Sequence, residues 1–377
     1  MNSELELFRE NVRRFIAEEV VPNYQQWEKD EIFPRQLWNT LGEQGLLAVD
    51  LPEEYGGFGT NFLFSMVIQE EFSKANCAAV GGPMAVHSDI VSHYILNHGS
   101  EDQKQAYLPR MVSGECVGAV AMTEPGTGSD LQGLRTTAKR DGNDYIINGS
   151  KTFITNGQHC DLVIVAARTN MEVSGAKGTT LFMVDSDTPG FQRGRNLEKI
   201  GLHPSDTSEL FFEDVRVSSD AILGQIDRGF AVLMGELQRE RLALAIGAVA
   251  AAEGLMETTV EYVKERKAFG APIAELQNTR FKLAEAATEV RIHRSFVEEC
   301  KQLFMRGELD VATVSMAKMS CTEMQGRVAD TCLQLHGGYG YMQEYGVSRA
   351  FVDARVQRIY GGTSEVMKEL ISRTVLA

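Results

Sequence analysis

The feature that most constrains the fold is a set of long helical segments in the last third of the chain. Ala and long-chain residues, which favour helices, dominate residues 230–264, 277–305 and 310–334. Short Gly-containing breaks at 306–308 and 337–340 separate or follow these segments. Long helices joined by short breaks are typical of an up-and-down bundle. The sequence therefore predicts a helical bundle at the C-terminal end.

The first part of the chain is also helical in pattern. Ser3 and Glu6 resemble a capping box at the start of a charged, helical stretch that runs from Met1, and Pro22 is expected to end that helix. The apolar residues that repeat at helical spacing between them are Leu5, Phe8, Val12, Phe15, Ile16 and Val20. A later helix is predicted to begin at Ser100, with Gln103 three residues on.

The middle of the chain has the pattern of strands. Short apolar or β-branched runs at 145–147, 162–166, 179–184 and 210–212 are separated by turn residues. Such runs, without helical patterns between them, favour an antiparallel barrel or sandwich.

The predicted fold class is therefore α+β. We expect an N-terminal helical domain over 1–117, a central antiparallel β domain over 118–224 and a C-terminal helical bundle over 225–377.

Composition excludes several classes of function. The 377 residues carry 37 Lys and Arg against 52 Asp and Glu, a formal net charge of −15, whereas a nucleic-acid-binding protein normally shows a basic domain or stripe. An anionic ligand remains possible because backbone amides and a few Arg can outweigh the overall field. The longest uncharged apolar run, 242–252, is shorter than the ~20 residues that span a bilayer. With no signal-peptide pattern at the start, we expect a cytoplasmic or organelle-matrix protein without a membrane span.

Cysteine and histidine spacing gives no sign of a disulfide framework or a metal site. The six cysteines lie far apart and form no CxxC, so reduced, buried thiols are expected. They are Cys77, Cys116, Cys160, Cys300, Cys321 and Cys332. His87, His93 and His98 do not share one helical face, and no metal is predicted.

Two Gly-rich stretches fail the common nucleotide-binding fingerprints. Residues 126–128 open like GxGxxG, but Leu131 fills the last Gly position and no helix obviously follows. Residues 149–152 resemble only the tail of a phosphate loop. Neither a Rossmann fold nor a P-loop is predicted.

Three polar, Gly-rich strings remain to be explained. They are AMTEPGTGSD at 121–130, NGSKTFITNG at 148–157, and a third in two pieces, QLHGGYGY at 334–341 and QRIYGGTSE at 357–365. Each by itself is equally well a set of turns in which Gly supplies positive φ. Because hydroxyls, amides and Gly recur in all three, a large polar cofactor is the better interpretation.

These strings, together with ERKAFGAPIAELQ at 265–277, occur in the order and spacing of the acyl-CoA dehydrogenase family, which the chain resembles over essentially its whole length. The resemblance implies an N-terminal helical domain, a central β domain and a C-terminal four-helix bundle, usually assembled as a homotetramer. It also implies FAD held without covalent attachment, and oxidation of the Cα–Cβ bond of an acyl-CoA thioester to a trans-2-enoyl-CoA.

The resemblance assigns roles around the flavin. Met122 and Thr123 line the ring, with the Thr hydroxyl hydrogen-bonded to it, and Ser129 contacts the pyrophosphate. Phe153 and Thr155 cover the other side, where Thr155 could donate near N5; many relatives carry Trp at the Phe153 position.

A second set of residues is expected at the FAD of a neighbouring subunit. These residues are Arg266, Phe269, Gln277, Gln334 and Gly338. For Arg266 the alternative is a solvated helix charge. Thr363 and Glu365 match positions at the adenosine or pyrophosphate end.

The catalytic base is where the chain departs from many relatives. They carry a Glu in the string Tyr-Glu-Gly-Thr, but Gly361 stands at that position here. A branch that includes the long-chain and isovaleryl-CoA dehydrogenases places its base on an earlier helix, just before an Arg, and Glu240 precedes Arg241 here. Residues 359–371 are especially close to the long-chain type. Glu240 is therefore the predicted base, the alternative being a helical ion pair with a neighbouring Arg or Lys.

The substrate contacts follow from the same resemblance. The backbone N–H of Gly361, with a flavin ribityl hydroxyl, is expected to bind the thioester oxygen, and Ser129 and Arg241 are expected to contact the acyl-CoA.

The predicted enzyme passes electrons to an electron-transfer flavoprotein. An oxidase that uses O₂ and a non-catalytic flavin or acyl-CoA binding protein remain alternatives, and loss of both candidate carboxylates would be the signature of the last. Chain-length preference stays open, because the small residues after Glu240 serve tight helix packing as well as they leave room for substrate.

Overall fold

A computed structural model describes residues 2–376, in which helices at both ends of the chain flank a large sheet. The helices before the sheet are α1 (Asn2–Phe15), α2 (Val21–Asp30), α3 (Gln36–Glu43), α4 (Phe62–Lys74), α5 (Ala78–Ala85), α6 (Ser92–His98) and α7 (Glu101–Val112). Those after it are α8 (Gly229–Glu265), α9 (Gln277–Met305), α10 (Val311–His336), α11 (Gly346–Val356) and α12 (Ser364–Val375). The strands are β1 (Gly118–Ala121), β2 (Thr137–Asp141), β3 (Asp144–Thr155), β4 (Leu162–Arg168), β5 (Thr179–Asp185), β6 (Phe191–Asn196), β7 (Thr207–Ser218), β8 (Ile222–Leu223), β9 (Lys267–Ala268) and β10 (Ala271–Pro272).

The helix ends predicted near the N-terminus are only partly right. Pro22 does not end the first helix: a π-type stretch, Ile16–Val20, leads into α2, and Pro22 lies in the first turn of α2, where a missing N–H costs no helical hydrogen bond. Ser3 falls inside α1 rather than at its cap, and Met1 lies outside the described residues. The capping box at Ser100 is confirmed, since its side chain accepts from the N–H of Gln103.

The sheet contains all four predicted strands but is mixed rather than purely antiparallel. Its order is β6-β7-β3-β2-β4-β5-β8, with β1 also beside β4. The β1–β4 and β2–β4 pairs run parallel, and the other pairs are antiparallel. The apolar runs predict strands from local residue type, whereas the direction of pairing depends on how the connections cross the sheet.

Strand β4 is buried along its whole length because each face packs into a different core. Leu162, Ile164 and Ala166 belong to a cluster shared with α6 and α7. Val163 and Val165 belong to a second cluster formed within the sheet domain. The sheet is thereby fixed against the helices that precede it.

Helix α8 is the centre of the C-terminal part. It packs against α4, α9 and α10, and Phe62 and Met66 of α4 enter the same core as the bundle. Among the described residues, α8 alone has the length and hydropathy of a membrane-crossing helix, and 67% of its most apolar stretch is buried inside the molecule, as in a core helix.

The cysteines are buried, and the three histidines have polar partners. All six cysteines are free thiols. His87 contacts the carbonyl of Met111 and the N–H of Gly118, His93 faces Asp50, and His98 faces a carboxylate on α8.

Candidate active site

Glu240 is a buried carboxylate on α8 that accepts a hydrogen bond from α6. It is 7% exposed, and the Tyr94 hydroxyl of α6 donates to its Oε1 at 2.8 Å. Burial, with the Glu236 charge one turn earlier adding to it, raises the pKa of Glu240 to about 7 against the opposing effects of the Tyr94 hydrogen bond and Arg241. A carboxyl with this pKa exchanges a proton near neutral pH.

Arg239, one of the candidate ion-pair partners of Glu240, turns away from it. The Arg239 guanidinium binds Asp50 Oδ2 at 2.7 Å and Asp89 Oδ1 at 2.6 Å, and it lies 5.0 Å from the centre of the Phe62 ring. Arg239 therefore ties α8 to the N-terminal helices and leaves Glu240 without that counter-charge.

Gly361 lies against the same face of α8 as Glu240. Its φ is +61°, and a Cβ placed on it would be 2.4 Å from Cδ1 of Leu244, the residue one turn after Glu240. The two positions from which the family is expected to supply a base therefore adjoin the same stretch of α8.

Buried Lys318 holds the turn that contains Gly361, and buried Arg241 lies beside that turn. Lys318 of α10 donates to the Gly362 carbonyl at 2.6 Å, and a Cβ on Gly362 would lie 3.8 Å from Nη2 of Arg241. Burial, with Arg241 adding to it, lowers the pKa of Lys318 to about 8, and burial lowers the pKa of Arg241 while Glu240 opposes that shift. Glu240, Arg241 and the Gly361–Gly362 turn thus form one site.

The first two polar strings lie side by side. The Thr152 N–H donates to the Thr123 carbonyl at 3.0 Å, and Lys151 Nζ donates to the Met122 carbonyl at 3.1 Å and to Glu124 Oε1 at 2.8 Å. Burial lowers the pKa of Lys151 to about 8. This lysine is a buried anchor between the strings, in agreement with the failed phosphate-loop fingerprint.

Phe153 is pushed out of strand β3. A break in the pairing register between Lys151 and Ile154 accompanies a positive φ of 59° at Phe153, whose side chain is 66% exposed. Thr155, half-buried, returns to the ladder opposite Thr207. An aromatic ring exposed by a strained backbone is suited to covering a flat ligand.

The first polar string borders open space, which a site for a large cofactor such as FAD requires. A Cβ on Gly126 or Gly128 would meet no atom within 4 Å, and Ser129 is exposed at the end of the first string. Met122 packs on the cluster that contains Tyr94, so the open, Gly-rich cradle adjoins the helix that contacts Glu240.

The residues expected at a neighbouring subunit lie on the surface. Phe269, at the tip of the β9–β10 hairpin, is 96% exposed with φ of +54°. The Arg266 guanidinium lies 5.3 Å from the centre of the Tyr339 ring, which joins the hairpin to the 334–341 string. The remaining members of the set, Gln277, Gln334 and Gly338, are exposed. Within the described residues, no side chain of this set hydrogen-bonds to Glu240.

The two residues after Gly361 that were assigned to the cofactor also have structural positions. The Thr363 side chain caps α12 by accepting from the Val366 N–H at 3.3 Å, and Glu365 is exposed in the first turn of that helix.

Sequence reasoning missed Tyr94 and Lys318. Tyr94 meets Glu240 across 146 positions of sequence, which no local pattern reveals. Lys318 had a signal, since it forms a helical polar stripe with Ser315 and Thr322 inside an otherwise apolar, buried face of α10.

Three domain profiles match almost the whole chain: acyl-CoA dehydrogenase N-terminal domain over 2–115, middle domain over 119–215 and C-terminal domain over 227–376. The chain belongs to the acyl-CoA dehydrogenase family. Family membership confirms the predicted fold, an oxidoreductase activity and the FAD cofactor.

Individual relatives match the whole of this chain and most of their own length. The mitochondrial long-chain specific acyl-CoA dehydrogenase of Sus scrofa is 51% identical over 100% of this chain and 87% of its own length. The crystal structure of an acyl-CoA dehydrogenase from Geobacillus kaustophilus is 47% identical, covers 100% of this chain and 98% of its own, and superposes with a TM-score of 0.97. A glutaryl-CoA dehydrogenase from Mycobacterium smegmatis, solved in complex with FADH2, is 30% identical with a TM-score of 0.93 over 100% of this chain and 95% of its own.

Proposed function

We propose that this enzyme oxidises the Cα–Cβ bond of an acyl-CoA thioester to a trans-2-enoyl-CoA, with Glu240 as the base. The observation that carries the proposal is the burial of Glu240 and its pKa of about 7, on the stretch of α8 that Gly361 adjoins. When bound, FAD supplies the acceptor for the hydride that leaves Cβ. Glu240 takes the proton from Cα, so one proton and one hydride account for the two hydrogens lost.

The position of Glu240 suits removal of a weakly acidic proton. A carboxylate in water is too weak a base, whereas a buried one with a pKa near the working pH is both ionised often enough and basic enough. The Gly361 N–H then stabilises the charge that develops on the thioester oxygen, and one such donor contributes about 3 kcal/mol. Lys318, by binding the next carbonyl, keeps that turn in place.

Ser129 and Arg241 contact the acyl-CoA in this proposal. Arg241 is buried within the Glu240 site, and its Nε has no hydrogen-bond partner in the protein, so a donor remains for a ligand. Ser129 is exposed at the mouth of the Gly-rich cradle.

The FAD-binding residues are proposed as two groups. Met122, Thr123, Phe153 and Thr155 surround the flavin, and Ser129, Thr363 and Glu365 bind the rest of the cofactor; the adjacency of the first two strings supports this. The exposed set, Arg266, Phe269, Gln277, Gln334 and Gly338, contacts the FAD of a neighbouring copy in a homotetramer. A phenylalanine ring almost wholly in water, as Phe269 is, supports a covered surface in the assembly.

The electron acceptor in this proposal is an electron-transfer flavoprotein, in a cytoplasmic or organelle-matrix setting. The oxidase alternative is tested by peroxide production in air: rapid, stoichiometric peroxide on acyl-CoA addition would replace the flavoprotein partner with O₂.

The decisive experiment is anaerobic mixing of the purified protein with straight and branched acyl-CoA esters of graded length. We expect about one FAD per chain, bleaching of the flavin absorbance by a subset of the esters, and trans-2-enoyl-CoA as the product. Tight binding of acyl-CoA without bleaching by any ester would instead identify a binding protein.

A further inference from the structure

Helices α6 and α8 meet at two adjacent polar contacts, of which the Glu240 contact is one. Tyr94 Oη donates to Glu240 Oε1 at 2.8 Å. One turn away, Asn97 Nδ2 donates to Glu236 Oε1 at 3.0 Å, and His98 Nε2 lies 2.9 Å from the same oxygen. The residues are spaced three and four apart on α6 and four apart on α8, so one face of each helix supplies both contacts.

The charged and titratable groups that face Glu240 come from these two helices. Tyr94 of α6 is completely buried, and burial, with the Glu240 charge adding to it, holds the pKa of its hydroxyl well above the ordinary value, so it remains a donor throughout the working pH range. From α8 the Glu236 charge raises the pKa of Glu240, and Arg241 lowers it. His98 of α6 contacts Glu236.

We propose that Tyr94 and Glu236 are positioning residues for Glu240 that act in opposite senses: the Tyr94 hydroxyl fixes Oε1 and favours the charged carboxylate, and the Glu236 charge disfavours it. This inference rests on Glu240 being the base. By holding Oε1, Tyr94 fixes the orientation of the carboxylate. Asn97 and His98 fix the position of Glu236 relative to Glu240. Helix α6 therefore controls both the Tyr94 and the Glu236 effect on the Glu240 carboxylate.

The test compares Tyr94→Phe with Glu236→Gln in the FAD-loaded enzyme. Flavin reduction by an acyl-CoA is followed by rapid mixing across pH. Loss of the Tyr94 donor moves the acid limb of the rate profile upward by about 1–2 pH units, the usual effect of one hydrogen bond to a charged group. Glu236→Gln, which keeps the oxygen that accepts from Asn97, moves the acid limb downward, and the double variant lies between the two.

A second measurement does not depend on turnover. The protonated Glu240 carboxyl is titrated by infrared difference spectroscopy of the holoenzyme against Glu240→Gln. We expect the same opposite displacements of its titration in the two variants. Controls of matched chemistry are Tyr107→Phe, which removes a hydroxyl that donates to Asp185 on the sheet, and Glu261→Gln, near the far end of α8; neither changes the profile.

The inference would be overturned if the acid limb of the rate profile stayed in place in both variants or moved in the same direction in both. Tyr94 would then be only a packing residue. Should Tyr94→Phe not fold, Glu236→Gln alone decides, since an acid limb that does not move downward contradicts the opposing role. Failure of the proposed function is separate: it appears as normal flavin bleaching by Glu240→Gln, whatever the other variants do.

Discussion

At the residue scale, the chemistry depends on one carboxylate that the fold keeps buried and unpaired with Arg239. Glu240→Gln preserves the shape and the acceptor for Tyr94 but removes the base. We expect acyl-CoA to bind while flavin bleaching on mixing slows by at least ~10²–10⁴-fold, the usual contribution of a general base. Rapid-mixing absorbance checks the rate, and Glu261→Gln, an exposed Glu on the same helix, is the matched control.

Position 361 tests whether a base can be supplied from the turn before α12 instead of from α8. Gly361→Glu placed in the Glu240→Gln protein should recover part of the lost bleaching, because both positions adjoin one stretch of α8. The recovery is limited by the positive φ, which costs a non-Gly residue about 1–2 kcal/mol, and by the contact with Leu244.

The matching control for this swap is Gly361→Gln in the same background, which introduces equal strain without a carboxylate. Equal bleaching by the Glu and Gln proteins would show that position 361 does not reach the α-proton. Adding Leu244→Ala gives the new side chain room and should raise the recovery.

At the scale of elements, a second buried carboxyl joins α11 to the segment before β7. Asp353 Oδ1 accepts from the Leu202 N–H at 2.5 Å, while its buried Oδ2 has no partner in the protein. Burial raises the pKa of Asp353 to about 7 from an ordinary value near 3.8. The protonated form therefore stabilises the fold below about pH 4, and that stabilisation is lost as pH rises to about 7.

Asp353→Asn removes this pH dependence while keeping the acceptor for Leu202. We expect the stability of the variant, relative to the unmodified protein, to rise by about 3 kcal/mol between pH 5 and pH 8, with a matching relative rise in melting temperature. Melting curves at a series of pH values measure it. A difference that is constant with pH would mean that Asp353 is ionised in the folded protein throughout.

Element geometry also explains why Phe153 is exposed between two buried neighbours in β3. The register shift after Lys151 turns the Phe153 side chain outward. The buried Lys151 anchors this bulge to the first polar string. The proposed flavin contact is thus produced by a pairing irregularity rather than by residue type.

At the scale of the whole molecule, the exposed 266–277 and 334–341 segments predict that cofactor retention and assembly depend on each other. Arg266→Ala removes the contact with Tyr339 and the proposed contact with a neighbour's FAD. We expect fewer flavins per chain and smaller particles by light scattering, with Arg140→Ala, an exposed residue near the end of β2, as control. Loss of FAD from an intact oligomer whose flavin contacts all come from one subunit would contradict the shared site.

Much of the molecule follows from local sequence. Local residue patterns predict the helix over 277–305, the strands and the turns of the Gly-rich strings. The domain boundaries at 118 and 225 remain a prediction of the same kind. The family motifs identify the chemistry, and the missing carboxylate at Gly361 points to Glu240, because these are properties of neighbouring residues.

Other features are set only when distant segments pack together. The turn of Arg239 toward Asp50 and Asp89, the Tyr94 hydrogen bond and the parallel direction of β1 each join parts of the chain that are far apart in sequence. The pKa of Glu240 belongs to this group, because desolvation depends on everything that surrounds the carboxyl in space. The sequence alone determined which carboxylate remains as the candidate base; the tertiary structure decided its proton affinity, because burial and opposing charges come from residues that only folding brings together.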